Sequence, residues 1–119
     1  MSSDFVEHVD DDPLWEKYYK LVRDKIPEII LKSGKKCTYR KIYDKDEYKR
    51  ALLEKLLEEV NEFIKRPNLE ELANIQEIID YLLSVYLHCS KGDLLYVKSK
   101  KRLIRGAFDN GIILEKVEK

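Results

Sequence analysis

Two helical stretches with acidic residues at fixed spacing constrain this chain most strongly. They read LLEKLLEEVNEFI and NIQEIIDYLLSVYLHC. Because successive residues turn by about 100° around a helix, Glu59 and Glu62 share one side of the first stretch. The same spacing places Glu77 and Asp80 together on the second. Asp80 stands among apolar neighbours and needs a partner there, because an unpaired buried carboxylate is costly.

Capping signals predict where these helices begin and end. The DKDE at 44–47 forms a capping box that opens a helix over 45–65, and the RPN at 66–68 ends it. Asn68 and Glu71 form a second box, which opens a helix that runs to about residue 90. Because only a few residues connect the two helices, we expect an antiparallel hairpin.

The rest of the chain predicts shorter elements. A first helical segment lies in LWEKYYKLVRDKIPEIILKSG, where Asp24 can cap it, Pro27 occupies the first turn and Gly34 follows its end. A fourth helix is predicted near 93–104. Short strands are predicted at 37–43 and 111–117, where they could pair with each other. The sequence therefore predicts a mainly α fold: a flexible N-terminal tail, 1–13, and a single helical domain, 14–119.

Composition excludes several classes of function. The 119 residues contain 23 basic and 23 acidic side chains, so the formal net charge is zero. No overall basic field draws this chain to nucleic acid or to an acidic membrane surface. The acidic N-terminus has no apolar core of a signal peptide, and Cys37 and Cys89 follow no zinc or disulfide spacing. These features indicate a cytoplasmic protein that does not bind membranes.

Three interpretations of the acids remain open on the residues alone. The carboxylates can form a solvated helix face, or they can pair with lysine and arginine from elsewhere in the chain. They can also converge from facing helices, where without a cation they would repel one another. A hard cation with oxygen ligands resolves that repulsion, and Mg²⁺ is common where phosphates are bound.

The acids also carry a resemblance to a known family. EEVNE at 58–62 followed by EIID at 77–80 resembles the EExxE…ExxD signature of the MazG-like all-α nucleotide pyrophosphatases. YKLVRDKIPEII at 19–30 and RGAFDNGIILEKV at 105–117 are similar to the phosphoribosyl-ATP pyrophosphohydrolase-like group of that superfamily. The likeness covers about residues 18–118, and the three segments occur in the expected order.

The resemblance implies a fold, a reaction and roles for individual residues. The fold is a helical hairpin that forms a four-helix-bundle-like core, assembled as a homodimer or homotetramer. The reaction is Mg²⁺-dependent hydrolysis of a nucleoside triphosphate, or of a related phosphoribosyl nucleotide, to monophosphate and pyrophosphate; Mn²⁺ is an alternative ion. Such an enzyme could clear non-standard or excess nucleotides. The implied metal ligands are Glu59, Glu62, Glu77 and Asp80, and Glu58 and Glu59 are the implied catalytic carboxylates.

A triphosphate also requires cations, and one position departs from the family pattern. The candidate phosphate-binding residues are Arg23, Lys25, Lys101, Arg102 and Arg105, each of which could instead belong to a solvated basic face. Asn74 stands where the family commonly has Asp, which predicts weakened activity if that Asp helps hold the metal. The alternatives to an enzyme are a catalytically weakened nucleotide-binding module and a plain helical oligomerisation domain.

Overall fold

The structure is a computed structural model that describes residues 14–119. The predicted N-terminal tail, 1–13, lies outside the described residues. The elements are α1 (Ile26–Lys32), α2 (Lys45–Lys65), α3 (Leu69–Tyr81) with a π-helical turn at Leu82–Tyr86, and α4 (Lys91–Arg105). The prediction of a mainly α fold is confirmed for the part of the chain that the structure describes.

The central hairpin forms where the capping signals predict it. Asp44 Oδ2 accepts a hydrogen bond of 2.9 Å from the Glu47 backbone N–H, and α2 starts at the next residue. Asn68 Oδ1 accepts an equal bond from the Glu71 N–H and opens α3 in the same way. In a full capping box, the glutamate side chain also accepts a hydrogen bond from the backbone N–H of the capping residue. Neither glutamate does so here: the Glu47 carboxylate binds Arg40, and the Glu71 carboxylate binds Asn74. The three-residue connection 66–68 folds α3 back along α2, and the two helices pack on each other.

The first helix is shorter than its sequence segment. It begins at Ile26, its N-cap is Lys25, and no side chain caps it, so the prediction that Asp24 caps this helix is wrong. Pro27 lies in the first turn, as predicted, and its ring would clash with any preceding helical turn. Residues 14–23 form an irregular segment. Gly34 follows the helix with a φ of +92°, a conformation that glycine adopts without steric cost.

The end of the second long helix differs from the prediction. After the π-helical turn the helix ends at Tyr86, and His88 takes a left-handed backbone conformation with a φ of +55°. Ser90 then caps the next helix: its Oγ accepts from the Asp93 N–H, and the Asp93 carboxylate accepts from the Ser90 N–H. The predicted helix to about residue 90 therefore ends too late, and this capping box places Gly92 inside α4.

Neither predicted strand forms, and both of those predictions are wrong. Residues 37–43 and 111–117 have no strand pairing to each other or to any other described residue. Their large side chains lie open to solvent, and Tyr43 and Ile112 are 87% and 81% exposed. A strand needs a partner for its backbone N–H and C=O groups, and residues 14–119 of a single copy supply none.

The hydrophobic core lies between the hairpin helices and is small. Leu52, Ile78 and Leu83 are the buried apolar side chains of the described residues. Helices α1 and α4 make little contact with the hairpin, so a four-helix core does not form within one chain. No described helix is both long and apolar enough to span a lipid bilayer.

Candidate functional site

The two glutamates of α2 that begin the acidic motif are held by lysines. Glu58 Oε2 lies 2.6 Å from Lys20 Nζ, and its Oε1 lies 3.0 Å from Lys55 Nζ. Lys55 Nζ also lies 3.4 Å from Glu59 Oε2. Glu59 is the only buried charged side chain among the described residues, with 7% of its surface exposed. Lys20 comes from the irregular segment before α1, so this cluster attaches that segment to the hairpin.

Asn74 connects these glutamates to α3. Its Nδ2 donates hydrogen bonds of 2.9 Å to Glu59 Oε1 and 3.1 Å to Glu71 Oε1. Its Oδ1 accepts a bond of 2.9 Å from the guanidinium of Arg23. The same guanidinium lies 3.7 Å from Glu77 Oε1. An aspartate at this position has no proton to donate when ionised, so the amide allows two carboxylates to approach one side chain.

These contacts join distant parts of the sequence into one group, which we call the hairpin network. It brings the EExxE part of the motif next to the first acid of the ExxD part, across α2 and α3. The second interpretation of the acids, pairing with basic side chains, therefore describes three acids of this network, Glu58, Glu59 and Glu77. The members of the network are Lys20, Arg23, Lys55, Glu58, Glu59, Glu71, Asn74 and Glu77.

Two predicted metal ligands pair with lysines outside this network. Glu62 Oε2 lies 3.9 Å from Lys65 Nζ, and Asp80 Oδ2 lies 3.3 Å from Lys91 Nζ. Within residues 14–119, no group of three or more His, Cys, Asp or Glu side chains is arranged to hold a metal ion. The donor chemistry suits Mg²⁺ nevertheless, because all four predicted ligands offer carboxylate oxygen and none offers sulfur or imidazole nitrogen. A divalent ion at this position would compete with the lysine and arginine partners of these acids.

The predicted phosphate-binding residues fall into two groups. Arg23 joins the hairpin network, whereas the side chain of Lys25 is exposed and pairs with no described residue. Lys101, Arg102 and Arg105 lie towards the end of α4, where every side chain is exposed. Within a single chain, the α4 cations make no contact with the network.

Sequence reasoning missed three members of the network. Lys55 stands three and four residues before Glu58 and Glu59, a spacing that places oppositely charged side chains together on a helix and could have identified it. Glu71 was interpreted only as a capping partner, although its carboxylate binds Asn74. Nothing in the sequence indicates the contact of Lys20, because 38 positions separate it from Glu58.

The pKa of Glu58 describes the electrostatics of the cluster. Partial burial raises this pKa, but hydrogen bonds and charge attraction from Lys20 and Lys55 outweigh burial and hold the pKa below its usual value. Glu58 is therefore an ionised acceptor at neutral pH. A low pKa makes a carboxylate a weak general base, so this arrangement suits Glu58 to positioning cations more than to taking a proton from water.

A shallow cleft is lined in part by Asp24, the residue that follows Arg23 of the hairpin network. It has a volume of about 410 Å³ and lies between α1 and the loop that follows it. The ring of Tyr39 is exposed there, and Asp24, adjacent to Arg23, offers carboxylate oxygens. Such a surface can stack on a planar ring and accept hydrogen bonds from its amino groups. The remaining lining residues are Pro27, Glu28, Leu31 and Lys32.

Comparisons of this chain with models of protein families, with curated proteins and with solved structures gave no match.

Proposed function

We propose that this chain is a Mg²⁺-dependent nucleotide pyrophosphohydrolase. It would hydrolyse the bond between the α and β phosphates of a nucleoside triphosphate, or of a related phosphoribosyl nucleotide. The observation that carries the proposal is the contact across the hairpin, where Asn74 joins Glu59 and Arg23 reaches both Asn74 and Glu77. One acid from each part of the motif, Glu59 and Glu77, is thereby linked through Asn74 and Arg23, which supports a shared site.

The metal belongs to the proposal. Glu59, Glu62, Glu77 and Asp80 would hold Mg²⁺, and Mn²⁺ is the alternative ion with the same preference for oxygen. When bound, the ion supplies positive charge that offsets the negative charge of the phosphates. Since these acids face basic side chains here, ion binding requires that Lys55 and Arg23 release the carboxylates. The released guanidinium of Arg23 would then be available to bind a phosphate.

The chain's own carboxylates perform the proton chemistry in this proposal. A water oxygen attacks the α phosphorus, the bond from that phosphorus to the bridging oxygen breaks, and pyrophosphate leaves. Glu59 accepts the proton of the water, because Asn74 orients its carboxylate and the hairpin buries it. Glu58 remains ionised and keeps Lys20 and Lys55 at the site. Burial of Glu59 strengthens each of these interactions because it excludes bulk water.

The second candidate is a nucleotide-binding module that turns substrate over slowly or not at all. Asn74 favours it, because an amide gives the site one negative charge fewer than the aspartate common in the resembled family. The lysine pairs of Glu58 and Glu59 favour it as well, since they neutralise these carboxylates without a metal ion. A helical oligomerisation domain with no nucleotide site remains the third alternative.

We also propose that the chain functions as a homo-oligomer. Four apolar side chains of α2 recur at intervals of four, three and four residues, which places them along one side of the helix. They are exposed in the single chain, although α3 packs against the neighbouring side of α2. A second copy is the partner that such a stripe favours, and a dimer of hairpins would contain four helices. We call Leu53, Leu57, Val60 and Ile64 the α2 stripe.

One assay separates the enzyme from its alternatives. Pyrophosphate release is measured with a panel of ribonucleoside and deoxyribonucleoside triphosphates, with Mg²⁺ and with a chelator. The proposal predicts release of pyrophosphate and monophosphate that requires the ion. If no nucleotide of the panel gave pyrophosphate release, the proposal of an enzyme would be contradicted. Calorimetric titration with Mg²⁺ and nucleotide then separates a binding module, which gains stability on binding, from an oligomerisation domain, which does not.

A further inference from the structure

Two segments of the chain expose large side chains and have no strand partner among residues 14–119. One is 37–43, between α1 and α2, and the other is 111–117, after α4. Both are rich in residues that favour strands. We call them the α1–α2 segment and the post-α4 segment. Exposed fractions between 67% and 87% are found for Tyr39, Tyr43, Ile113 and Val117.

Helix α4 carries the post-α4 segment away from the hairpin. The base of α4 lies at the hairpin, where the Lys91 side chain pairs with Asp80. From there, fifteen residues of helix extend over about 22 Å without packing along α2 or α3. The post-α4 segment therefore begins beyond the far end of α4, and it does not pair with the α1–α2 segment of its own chain.

The side chains of the two segments match in one antiparallel register. Side chains alternate between the two faces of a strand, so the odd-numbered residues of each segment share a face. When Lys41 is placed opposite Glu115, the pairs on this face are two contacts of an aromatic ring with a β-branched side chain and one of opposite charges. Each is a favourable cross-strand pair. The pairs are Tyr39–Val117, Lys41–Glu115 and Tyr43–Ile113.

The other face of this register is also acceptable. Ile42 lies opposite Leu114, which adds an apolar pair. Arg40 lies opposite Lys116, but the Arg40 guanidinium already pairs with the Glu47 carboxylate, which offsets the repulsion between the two cations. The register therefore places no uncompensated like charges opposite each other.

A register shifted by one residue is less favourable. It pairs Arg40 with Glu115, although Arg40 already has a carboxylate partner in Glu47. It also leaves Lys41 opposite an apolar side chain and Lys116 opposite a tyrosine ring. Neither Lys41 nor Glu115 forms a side-chain hydrogen bond or ion pair with the described residues, so both are available for the first register. Side-chain pairing thus selects one register, as it does wherever a shift would reverse the two faces.

The odd-numbered face of the α1–α2 segment lies towards α1 and offers a surface to pack on. Cys37 Sγ lies 3.8 Å from the Pro27 carbonyl oxygen. The Tyr39 ring lines the shallow cleft together with Pro27 and Leu31. Val117, opposite Tyr39, would add an apolar side chain beside this cleft. Such support is needed, because two paired strands without further packing are only marginally stable.

We infer that two copies of this chain exchange their post-α4 segments. In the homo-oligomer, the post-α4 segment of one copy forms an antiparallel β-ladder with the α1–α2 segment of a second copy, and the exchange is reciprocal. The inference rests on the homo-oligomer of the proposed function and not on its hydrolysis reaction. A strand added to an unpaired segment gains affinity from backbone hydrogen bonds and specificity from side-chain pairs.

Disulfide cross-linking between two differently tagged chains tests the exchange. Both chains carry Cys37→Ser and Cys89→Ser; one adds Tyr43→Cys and the other adds Ile113→Cys. Residues directly opposite each other in an antiparallel ladder have Cα atoms about 4.5 to 5.5 Å apart, within the range of a disulfide. Mild oxidation of the mixed oligomer should therefore link the two kinds of chain, which a non-reducing gel detects.

The matched control moves the second cysteine by one residue. Leu114→Cys replaces Ile113→Cys, so the thiol points to the opposite face of the ladder. Cross-linking to the Tyr43→Cys chain should then be slower by about tenfold or more, because the two sulfur atoms cannot approach. Equal rates for positions 113 and 114 would overturn the inference, since random collision would explain both. Absence of the linked pair with Ile113→Cys would overturn it as well.

Reversal of one charge pair gives a second readout. One protein carries Lys41→Glu and another carries Glu115→Lys, so each homo-oligomer has like charges opposite each other in both ladders. We expect the dissociation constant of each to rise by about two- to tenfold. An equal mixture should favour the hetero-oligomer, because opposite charges then meet in both of its ladders. If mixing recovered no affinity, pairing between copies would be excluded and the inference overturned.

Both readouts are independent of catalysis. An oligomer that cross-links between positions 43 and 113 but releases no pyrophosphate would support the exchange and remove the enzyme. An oligomer of wild-type mass that shows neither this disulfide nor the preference for opposite charges would overturn the exchange and leave the α2 stripe as the interface.

Discussion

At the residue scale, one amide organises the site. Asn74 donates to two carboxylates and accepts from Arg23, so it performs the bridging that a cation performs in many acidic clusters. Glu59 is buried, and no buried side-chain oxygen or nitrogen of the described residues lacks a hydrogen-bond partner, as buried polar groups require. A buried carboxylate with fixed partners is the group on which the proposed chemistry depends most directly.

Glu59→Gln should abolish pyrophosphate release and leave the helical content unchanged. Glutamine can still accept the Asn74 hydrogen bond, but it cannot take a proton from water or contribute a negative charge. The matched control is Glu54→Gln on the same helix, because Glu54 forms no side-chain hydrogen bond or ion pair with the described residues. Circular dichroism and the release assay are compared for both proteins. Normal turnover by the Glu59 variant would remove this residue from the site.

Asn74→Asp should make stability depend more strongly on Mg²⁺. The substitution removes both donors and places a third carboxylate between Glu59 and Glu71. In chelator the free energy of unfolding should fall by about 1 to 3 kcal/mol, the usual cost of losing hydrogen bonds to charged groups. Added Mg²⁺ should raise the melting temperature by more than in the wild type.

The control for this substitution is Asn74→Ala, which removes the same hydrogen bonds and adds no charge. The alanine variant should lose stability in chelator without a larger response to Mg²⁺. An equal response of the two variants would show that the aspartate attracts no ion.

At the element scale, an irregular segment is attached to a helix by a salt bridge. Lys20 reaches Glu58 on α2, and Arg23 of the same segment reaches Glu77 on α3, so residues 20–23 contact both hairpin helices. Tyr19 beside them has a φ of +49°, an uncommon conformation for a residue with a side chain.

The contribution of the Lys20–Glu58 salt bridge to the free energy of unfolding should decrease in acid, as Glu58 becomes protonated. The pKa of Glu58 is lowered in the folded chain, so this group stabilises the fold above its unfolded pKa, near 4, and the gain is lost as pH falls through the lower folded pKa. The wild type should therefore exceed Glu58→Gln in unfolding free energy at pH 7, and the difference should vanish in strong acid.

Urea unfolding at a series of pH values measures this difference, and Glu54→Gln is again the control. A difference that stays constant from neutral to acidic pH would show that packing, and not ionisation of Glu58, accounts for the effect. The Glu54 variant should follow the wild type at every pH.

At the scale of the whole molecule, a single copy leaves too much apolar surface exposed. Its Cα radius of gyration is 18.8 Å, against about 13 to 14 Å for a compact domain of this length. The α2 stripe has exposed fractions of 36% to 69%, and the segment after α4 contains no described residue that is even partly buried. Burying such surface contributes about 25 cal/mol per Å², which favours assembly with a second copy.

Leu57→Glu combined with Ile64→Glu should convert the oligomer to a monomer. Both substitutions place charge in the α2 stripe, where burial on association would leave it without a partner. Light scattering coupled to size exclusion measures the mass of the particle. The control pair is Lys45→Glu with Lys116→Glu, two exposed positions outside the stripe. A variant that keeps the mass of the wild-type oligomer would show that the stripe is not an interface.

The hairpin follows from local signals, and its prediction succeeded for that reason. Asp44 and Asn68 cap α2 and α3 through hydrogen bonds to residues three positions away, and the lower bounds of both helices agree with the sequence. The π-helical turn after α3 ends at Tyr86, about four residues before the predicted end, because the capping box of Ser90 and Asp93 competes with continuation of the helix. The strands at 37–43 and 111–117 were wrong because a strand depends on a partner that periodicity does not specify.

The order of the acids along two adjacent helices was thus readable from the chain alone, since helix geometry and capping act over a few residues. Tertiary structure decided which distant side chains join these acids, because Lys20 reaches Glu58 across 38 positions and Arg23 reaches Asn74 across 51. Tertiary structure also decided that the α2 stripe faces outward while Leu52 and Glu59 are buried. Contacts of this kind depend on how elements pack in space, and no local spacing records that packing.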